Sequence, residues 1–311
     1  MTDTPAVEVR DLVKNYGGRS VVDGLSFSVE QGEVFALLGP NGAGKTTTVE
    51  ILEGYRHADA GFVRVLGLDP SRQSSDLKPN IGLMLQQGGL FPQITAGEAL
   101  RLFAAFYPES EDPDALLDQL QLREAANTRF RQLSGGQKQR LSLALALVGK
   151  PRLVFLDEPT AAMDPQARHS TWNIIRSLQN RGTTVLLTTH FMDEAEQLAN
   201  RVAIVDHGRL VALDTPAGLR QASAKEIRFV SEPPVSEEAV ALAMDLPRAA
   251  VDHENDGTLV VHVEPTPARI ALLSDWLARQ NTLLTELRAG SRSLEQAFLT
   301  LTAAEDPDAA A

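Results

Sequence analysis

The chain has 311 residues, of which 43% are hydrophobic and 23% charged, with 29 basic against 41 acidic side chains and no cysteine. That length suits one large domain or two smaller ones, and the composition excludes wholesale disorder. The missing cysteine excludes disulfide frameworks, thiolate metal sites and cysteine nucleophiles, and the net charge of −12 disfavours a general binder of phosphate backbones.

Apolar runs such as 34–38 and 143–148 fall far short of the roughly 20 residues a bilayer span needs, so no transmembrane helix is expected. Met1-Thr2-Asp3-Thr4-Pro5 lacks the basic region and apolar run of a secretory signal. Charge is spread unevenly. Residues 1–224 carry 22 basic and 26 acidic side chains, and residues 225–311 carry 7 and 15.

The first informative element is a buried-strand run, Val34-Phe35-Ala36-Leu37-Leu38. It leads into Gly39-Pro40-Asn41-Gly42-Ala43-Gly44-Lys45-Thr46, then Thr47, Thr48 and a helix-like stretch over 49–53. The pattern G-x-x-x-x-G-K-T between a strand and a helix is a phosphate-binding loop. Its glycines let backbone N–H groups converge on an anion, and the helix N-terminus adds the positive end of its dipole. In that arrangement Lys45 reaches the β- and γ-phosphates, and the Thr46 hydroxyl ligates Mg²⁺.

Helices are expected over 96–106 and 113–122. Leu133-Ser134-Gly135-Gly136-Gln137 then opens a further helix with an apolar run over 141–148. This turn reads as a second anion-binding helix N-terminus or as an ordinary N-cap with a flexible glycine pair. Two phosphate-type turns and one nucleotide leave the second free to serve a nucleotide held by another subunit.

Leu153-Val154-Phe155-Leu156 reads as a buried central strand, with Asp157 and Glu158 at its C-terminal end, where open α/β sheets bind ligands. Beside a phosphate loop, Asp157 is placed to hold the Mg²⁺ shell and Glu158 to accept a proton from the attacking water. Taken alone the pair would be a solvated acidic turn. The strand candidate over 183–189 ends in His190, near the γ-phosphate if the strands adjoin. Beyond residue 219 strands are expected over 225–230, 258–263 and 282–288, and helices over 236–244, 266–280 and 293–301. Ser236 is the N-cap of the first of these helices. Ile270, Leu273, Trp276 and Leu277 share one face of the second. This alternation describes a small α+β domain.

In this order and spacing the motifs resemble the ATP-binding subunit of ABC transporters, over about residues 5–220. Leu133 to Gln137 resembles the ABC signature, and Gln86 the Q-loop glutamine, with Gln87 the other register. Ala161-Ala162-Met163-Asp164 resembles the D-loop, with methionine where leucine is usual, a nearly volume-conserving change. Tyr16 resembles the aromatic that stacks on adenine, its alternative being a strand-edge tyrosine.

The resemblance implies an α/β fold, a P-loop ABC ATPase cassette with a mixed sheet core, an antiparallel β subdomain and a helical subdomain at about 88–150. The cassette would occupy residues 1–222, and a small C-terminal α+β accessory domain residues 223–311. It implies catalytic roles for Glu158, His190, Gln86 and Lys45. ATP contacts would come from Tyr16, Gly39, Pro40, Asn41, Gly42, Ala43, Gly44, Lys45, Thr46 and Thr47. Across a dimer, Ser134, Gly135, Gly136, Gln137 and Asp164 would complete the site, with Mg²⁺ held by Thr46, Gln86 and Asp157.

Two cassettes would dimerise head to tail, each ATP lying between one P-loop and the partner's Ser134-Gly135-Gly136 turn. Hydrolysis then removes the group bridging the halves, and the dimer opens. A permease would be a separate polypeptide met through the helical subdomain, placing the chain at the cytoplasmic face of the membrane with no nucleic-acid partner. The stretch from Ser291 to Leu299 resembles the end of drug-exporter ATPases of the daunorubicin-resistance type. The competing readings are a soluble ABC ATPase acting on ribosomes or DNA, an importer ATPase, and a slow regulatory binding protein. Against the ribosome and DNA relatives, this chain has one cassette, and only about 87 residues separate Lys45 from the signature.

Overall fold

The structure is a computed structural model that describes residues 4–84, 90–161, 163–222, 226–254, 257–289 and 293–303. The described residues form two compact units, one up to Pro216 and one from Ala217 onward.

The first unit opens with β1 (Val7–Tyr16), β2 (Arg19–Val29), β3 (Val34–Leu38), α1 (Lys45–Leu52) and β4 (Ala60–Val65). A short α2 (Ser74–Leu77) precedes β5 (Ile81–Met84), and then come α3 (Ala96–Ala104), α4 (Pro113–Gln119) and α5 (Gly135–Leu147). The remainder is β6 (Leu153–Asp157), α6 (Pro165–Asn180), β7 (Thr184–Thr189), α7 (Met192–Leu198), β8 (Arg201–Asp206) and β9 (Arg209–Asp214).

Two sheets result. One is antiparallel, ordered β2-β1-β4, and the other has six strands ordered β5-β6-β7-β3-β8-β9. In the larger sheet the first five strands run parallel, and only β9 turns back along β8. Strands β3, β6 and β7 are buried at every residue, as parallel strands covered on both faces must be. Val9, Leu25 and Phe27 of the small sheet share one apolar core with Phe35, Phe155 and Leu186 of the large one and with Val49 and Leu52 of α1. Phe27 and Phe35 stack with centroids 5.3 Å apart.

The helical stretch is locally encoded. Thr95 and Glu98 form a reciprocal capping box at the start of α3, and Asp112 caps α4 ahead of Pro113. Both helices end before the expected residues, at Ala104 and Gln119; Gln121, just past α4, has φ 54°, which no helix continues through. β5 was too short to announce itself as a strand. It exists because its four residues pair with β6 from Ile81↔Leu153 to Met84↔Leu156.

The second unit holds α8 (Pro216–Ala222), which begins at the division, and then β10 (Ile227–Glu232), α9 (Glu237–Ala243), β11 (Val251–His253), β12 (Leu259–Val261), α10 (Pro267–Arg279), β13 (Leu283–Ala289) and α11 (Leu294–Ala303). Its sheet is antiparallel, ordered β11-β12-β10-β13. Ser236 accepts the Ala239 N–H as the N-cap of α9. Leu273 and Leu277 of α10 are buried, with Ile270 and Trp276 packed beside them, in a core with Ile227, Phe229 and Val261. Val260 is buried as well as its neighbours, so β12 is covered on both faces.

Candidate active site

The parallel order β6-β7-β3 brings three strand ends to one edge of the sheet. In register, Leu38 lies opposite Thr189 and Asp157 opposite Thr188. The next residues in each strand, Gly39, Glu158 and His190, therefore emerge side by side.

The phosphate loop leaves β3 at Gly39 and enters α1 at Lys45. A Cβ on Gly39 would come within 2.2 Å of the Val205 carbonyl oxygen, so only glycine lets the loop pass this backbone. Gly44 has φ 95°, the left-handed region, and its Cα faces the Val21 carbonyl at the start of β2. Asn41, Gly42 and Thr46 are exposed, Thr47 half-buried, and Ala43 buried. A Gly39→Ala variant is expected to lose about 1–3 kcal/mol of stability, since the obstructing atom is backbone and cannot swing away. Denaturant unfolding measures this; an unchanged midpoint would contradict the close approach.

Lys45 is 7% exposed and donates to the Gly39 carbonyl at 2.7 Å and the Pro40 carbonyl at 3.0 Å. Burial lowers its pKa, opposed by the charges of Glu158 and Asp157, which lie close enough to act on it. Asp157 is 7% exposed and accepts a hydrogen bond from the Thr188 hydroxyl. Burial raises its pKa; Thr188 and Lys45 work against the rise, and Glu158 adds to it.

Glu158 takes φ 49°, a left-handed conformation that costs a glutamate on the order of 1–3 kcal/mol. Hydrogen bonds with three residues hold it there, each worth about 1 kcal/mol, enough to offset that cost. Its N–H donates to the Thr188 carbonyl at 3.1 Å, and its own carbonyl accepts from the Ala161 N–H at 3.1 Å and from Gln139 Nε2 at 2.9 Å. The carboxylate is 3.1 Å from His190 Nδ1. His190 is 46% exposed at the side chain and Glu158 15%, so the histidine forms the open side of the pair.

Tyr16 ends β1, 40% exposed, with Lys14 Nζ 5.4 Å and Arg56 Cζ 5.6 Å from its ring centroid. Ser134 caps α5: its hydroxyl accepts the Gln137 N–H at 3.2 Å, and Gln137 Oε1 accepts the Ser134 N–H at 2.9 Å. The capping box orders the turn while Gly135 stays exposed and nothing lies within 4 Å of a Cβ built on Gly136. Asp164 caps α6 through the Ala167 N–H at 2.9 Å. Met163 is buried and takes the Thr171 hydroxyl at 3.3 Å. Gln86, Gln87 and Ala162 lie outside the described residues.

Four residues of the site were not anticipated. Thr188 binds Asp157 and Gln139 binds the Glu158 carbonyl. Glu194, fully buried, accepts from the Thr160 hydroxyl at 2.8 Å and from Trp172 Nε1 at 3.0 Å, bracing the turn that follows Glu158. Glu53 closes α1, 2% exposed, with Oε2 unpartnered; burial, then Asp157 and Glu50, push its pKa up to about 8.

Between an unfolded value of about 4.5 and this folded value, the folded chain binds the extra proton. Glu53 therefore costs increasing stability as pH rises from about 4.5 to about 8. Glu53→Gln is expected to remove that slope and to exceed the wild type by on the order of 3 kcal/mol at pH 8, with little difference near pH 5. Melting curves across that range check it; parallel pH profiles would refute the buried acid.

A phosphate loop flanked on the same sheet edge by a carboxylate pair and a histidine defines a P-loop nucleotide-binding cassette. The chain belongs to the ABC transporter family, as one of its ATP-binding proteins, and residues 22–161 match the family described as ABC transporter. It is 38% identical to the Nod factor export ATP-binding protein I of Paraburkholderia xenovorans (strain LB400), over 97% of this chain and 99% of that protein. Among solved structures it resembles an ATP-binding subunit of an ABC transporter, with a TM-score of 0.65 and 27% identity over 71% of this chain and 93% of that one. It also resembles a dimeric ATP-binding cassette in a post-hydrolysis state bound to ADP and Pi, with a TM-score of 0.63 and 25% identity over 67% and 98% of the two chains. The chain is an ATP-binding cassette ATPase.

Proposed function

We propose that this chain is the ATP-hydrolysing subunit of an ABC exporter, which dimerises head to tail on ATP and drives a separate membrane permease. The observation that carries the chemistry is the convergence of Lys45, Asp157, Glu158 and His190 on one sheet edge. Lys45 exchanges its two loop carbonyls for the β- and γ-phosphates, and Gly42, Gly44 and the α1 N-terminus supply converging N–H groups. Tyr16 offers its exposed ring to adenine. Glu158 accepts the proton of the attacking water, and His190, hydrogen-bonded to it, orients its carboxylate toward the γ-phosphate. Ser134, Gly135 and Gly136 of one protomer contact the nucleotide held by its partner, beside Asp164.

The donor set suits Mg²⁺. The Thr46 hydroxyl and Asp157 carboxylate are hard oxygen ligands, with Gln86 the third expected one, and no cluster of three or more His, Cys, Asp or Glu occurs among the described residues. An ion that keeps water and phosphate oxygens as its remaining ligands fits such a sparse set; when bound, it neutralises phosphate charge. We assign this chemistry to residues 1–222 and an accessory role to 223–311.

Export is favoured over import because a relative similar along nearly its whole length is named for export. No helix among the described residues is long and apolar enough to cross a membrane, consistent with a separate permease and a place at the cytoplasmic face. The test is purification from detergent-solubilised membranes. A multispanning partner that raises the ATPase rate is expected; recovery with ribosomes and no such partner would sink the exporter reading.

A further inference from the structure

We propose that Gln139 is a positioning residue for Glu158, the side chain through which the signature helix sets the geometry of the base. This rests on Glu158 being that base.

Gln139 stands five residues after the N-cap Ser134, so about 7.5 Å of helix separates the signature turn from its Cα. Its Nε2 donates to the Glu158 carbonyl oxygen at 2.9 Å, a contact between residues 19 apart in the chain. The acceptor belongs to a residue at φ 49°, where a glutamate does not rest without support. The Glu158 N–H is already held by the Thr188 carbonyl of β7. The second hold on the carbonyl is the Ala161 N–H, which closes the turn after Glu158 and moves with it. Gln139 alone among these three anchors belongs to α5.

The consequence is directional. Ser134 is fixed to α5 by a two-way capping box, so the turn and the first part of the helix move together. A displacement of the signature turn, when it closes on the partner's nucleotide, is carried along α5 to Gln139 and into the main chain of Glu158. The base of one site is thereby tied to the occupancy of the other. A side chain of the same shape without a donor keeps the packing and cuts the tie.

The experiment uses the full-length chain with Gln139→Met, Glu158→Gln and the double variant. Gln139→Met is expected to lower kcat about tenfold, leave the ATP concentration for half-maximal rate within about twofold, and bring the Hill coefficient for ATP toward one. In the Glu158→Gln background the same change should cost nothing further in residual hydrolysis, and ATP-driven dimer formation should persist, which also reports that the double variant folds. The inference is overturned if Gln139→Met keeps the wild-type kcat while Glu158→Gln abolishes hydrolysis. It is equally overturned if the loss appears as weaker ATP binding, or by the same factor in both backgrounds. A Glu158→Gln chain that still hydrolyses ATP removes the base assignment itself, and with it the inference.

Discussion

Glu158→Gln is expected to bind ATP and then stop. The substitution keeps the shape and the hydrogen-bonding capacity of the side chain, and the backbone anchors at Thr188, Ala161 and Gln139 are untouched. What it removes is the capacity to accept a proton from water. General bases contribute factors of about 10²–10⁴, so hydrolysis should fall at least about 100-fold. Because the γ-phosphate then persists between the protomers, an ATP-bound dimer should accumulate, visible as a doubled mass in size exclusion. Wild-type turnover in this variant would move the base elsewhere, and His190, whose Nδ1 lies 3.1 Å from the Glu158 carboxylate, would be the next to substitute.

Lys45→Met should separate binding from folding. Lys45 is a desolvated cation whose two present acceptors are loop carbonyls, so removing the charge also removes a desolvation cost. The fold is therefore expected to survive with a thermal midpoint within a few degrees of the wild type. Nucleotide affinity should not survive, because hydrogen bonds to charged groups are worth about 1.5–3 kcal/mol each, or roughly 10- to 150-fold in affinity. Titration with a fluorescent ATP analogue measures the loss. Unchanged affinity would place the phosphates away from this loop.

The two variants bracket the site: one blocks capture, the other blocks release. Glu53→Gln and Gly39→Ala probe the support beneath it, and Gln139→Met probes the connection to the signature helix. Neither the Glu53 nor the Gln139 side chain is expected to touch ATP.

Much of this was legible in the residues themselves, for a physical reason in each case. The loop from Gly39 to Thr46 is recognisable because an anion cradle needs glycine backbone, a cation and a hydroxyl in a fixed order, all within eight consecutive residues. The capping boxes at Thr95 and Ser134 and the caps at Asp112 and Ser236 are local for the same reason: donor and acceptor lie within three residues. The strands β3, β6 and β7 announced themselves as short runs of apolar and β-branched residues, and the face of α10 by its helical spacing. β5 and β11, with four and three residues, are below the length at which a run carries any signal.

The rest depends on register and crossover, which no local pattern carries. Asp157 meets Thr188 only because β6 and β7 pair in parallel with those residues opposite one another. Glu158 meets His190 across 32 positions of chain, and Gln139 meets Glu158 across 19. The left-handed backbone at Glu158 is invisible in its side chain, since glutamate ordinarily avoids that region. Nothing local to Glu53 marks it as buried, and only packing beneath the loop turned it into a buried acid. The sequence by itself thus determined which groups could do phosphate chemistry, since their identities and short spacings are chemical requirements. Tertiary structure decided which of them act on one another, because hydrogen bonds and desolvation depend on ångström distances between segments that the chain keeps far apart.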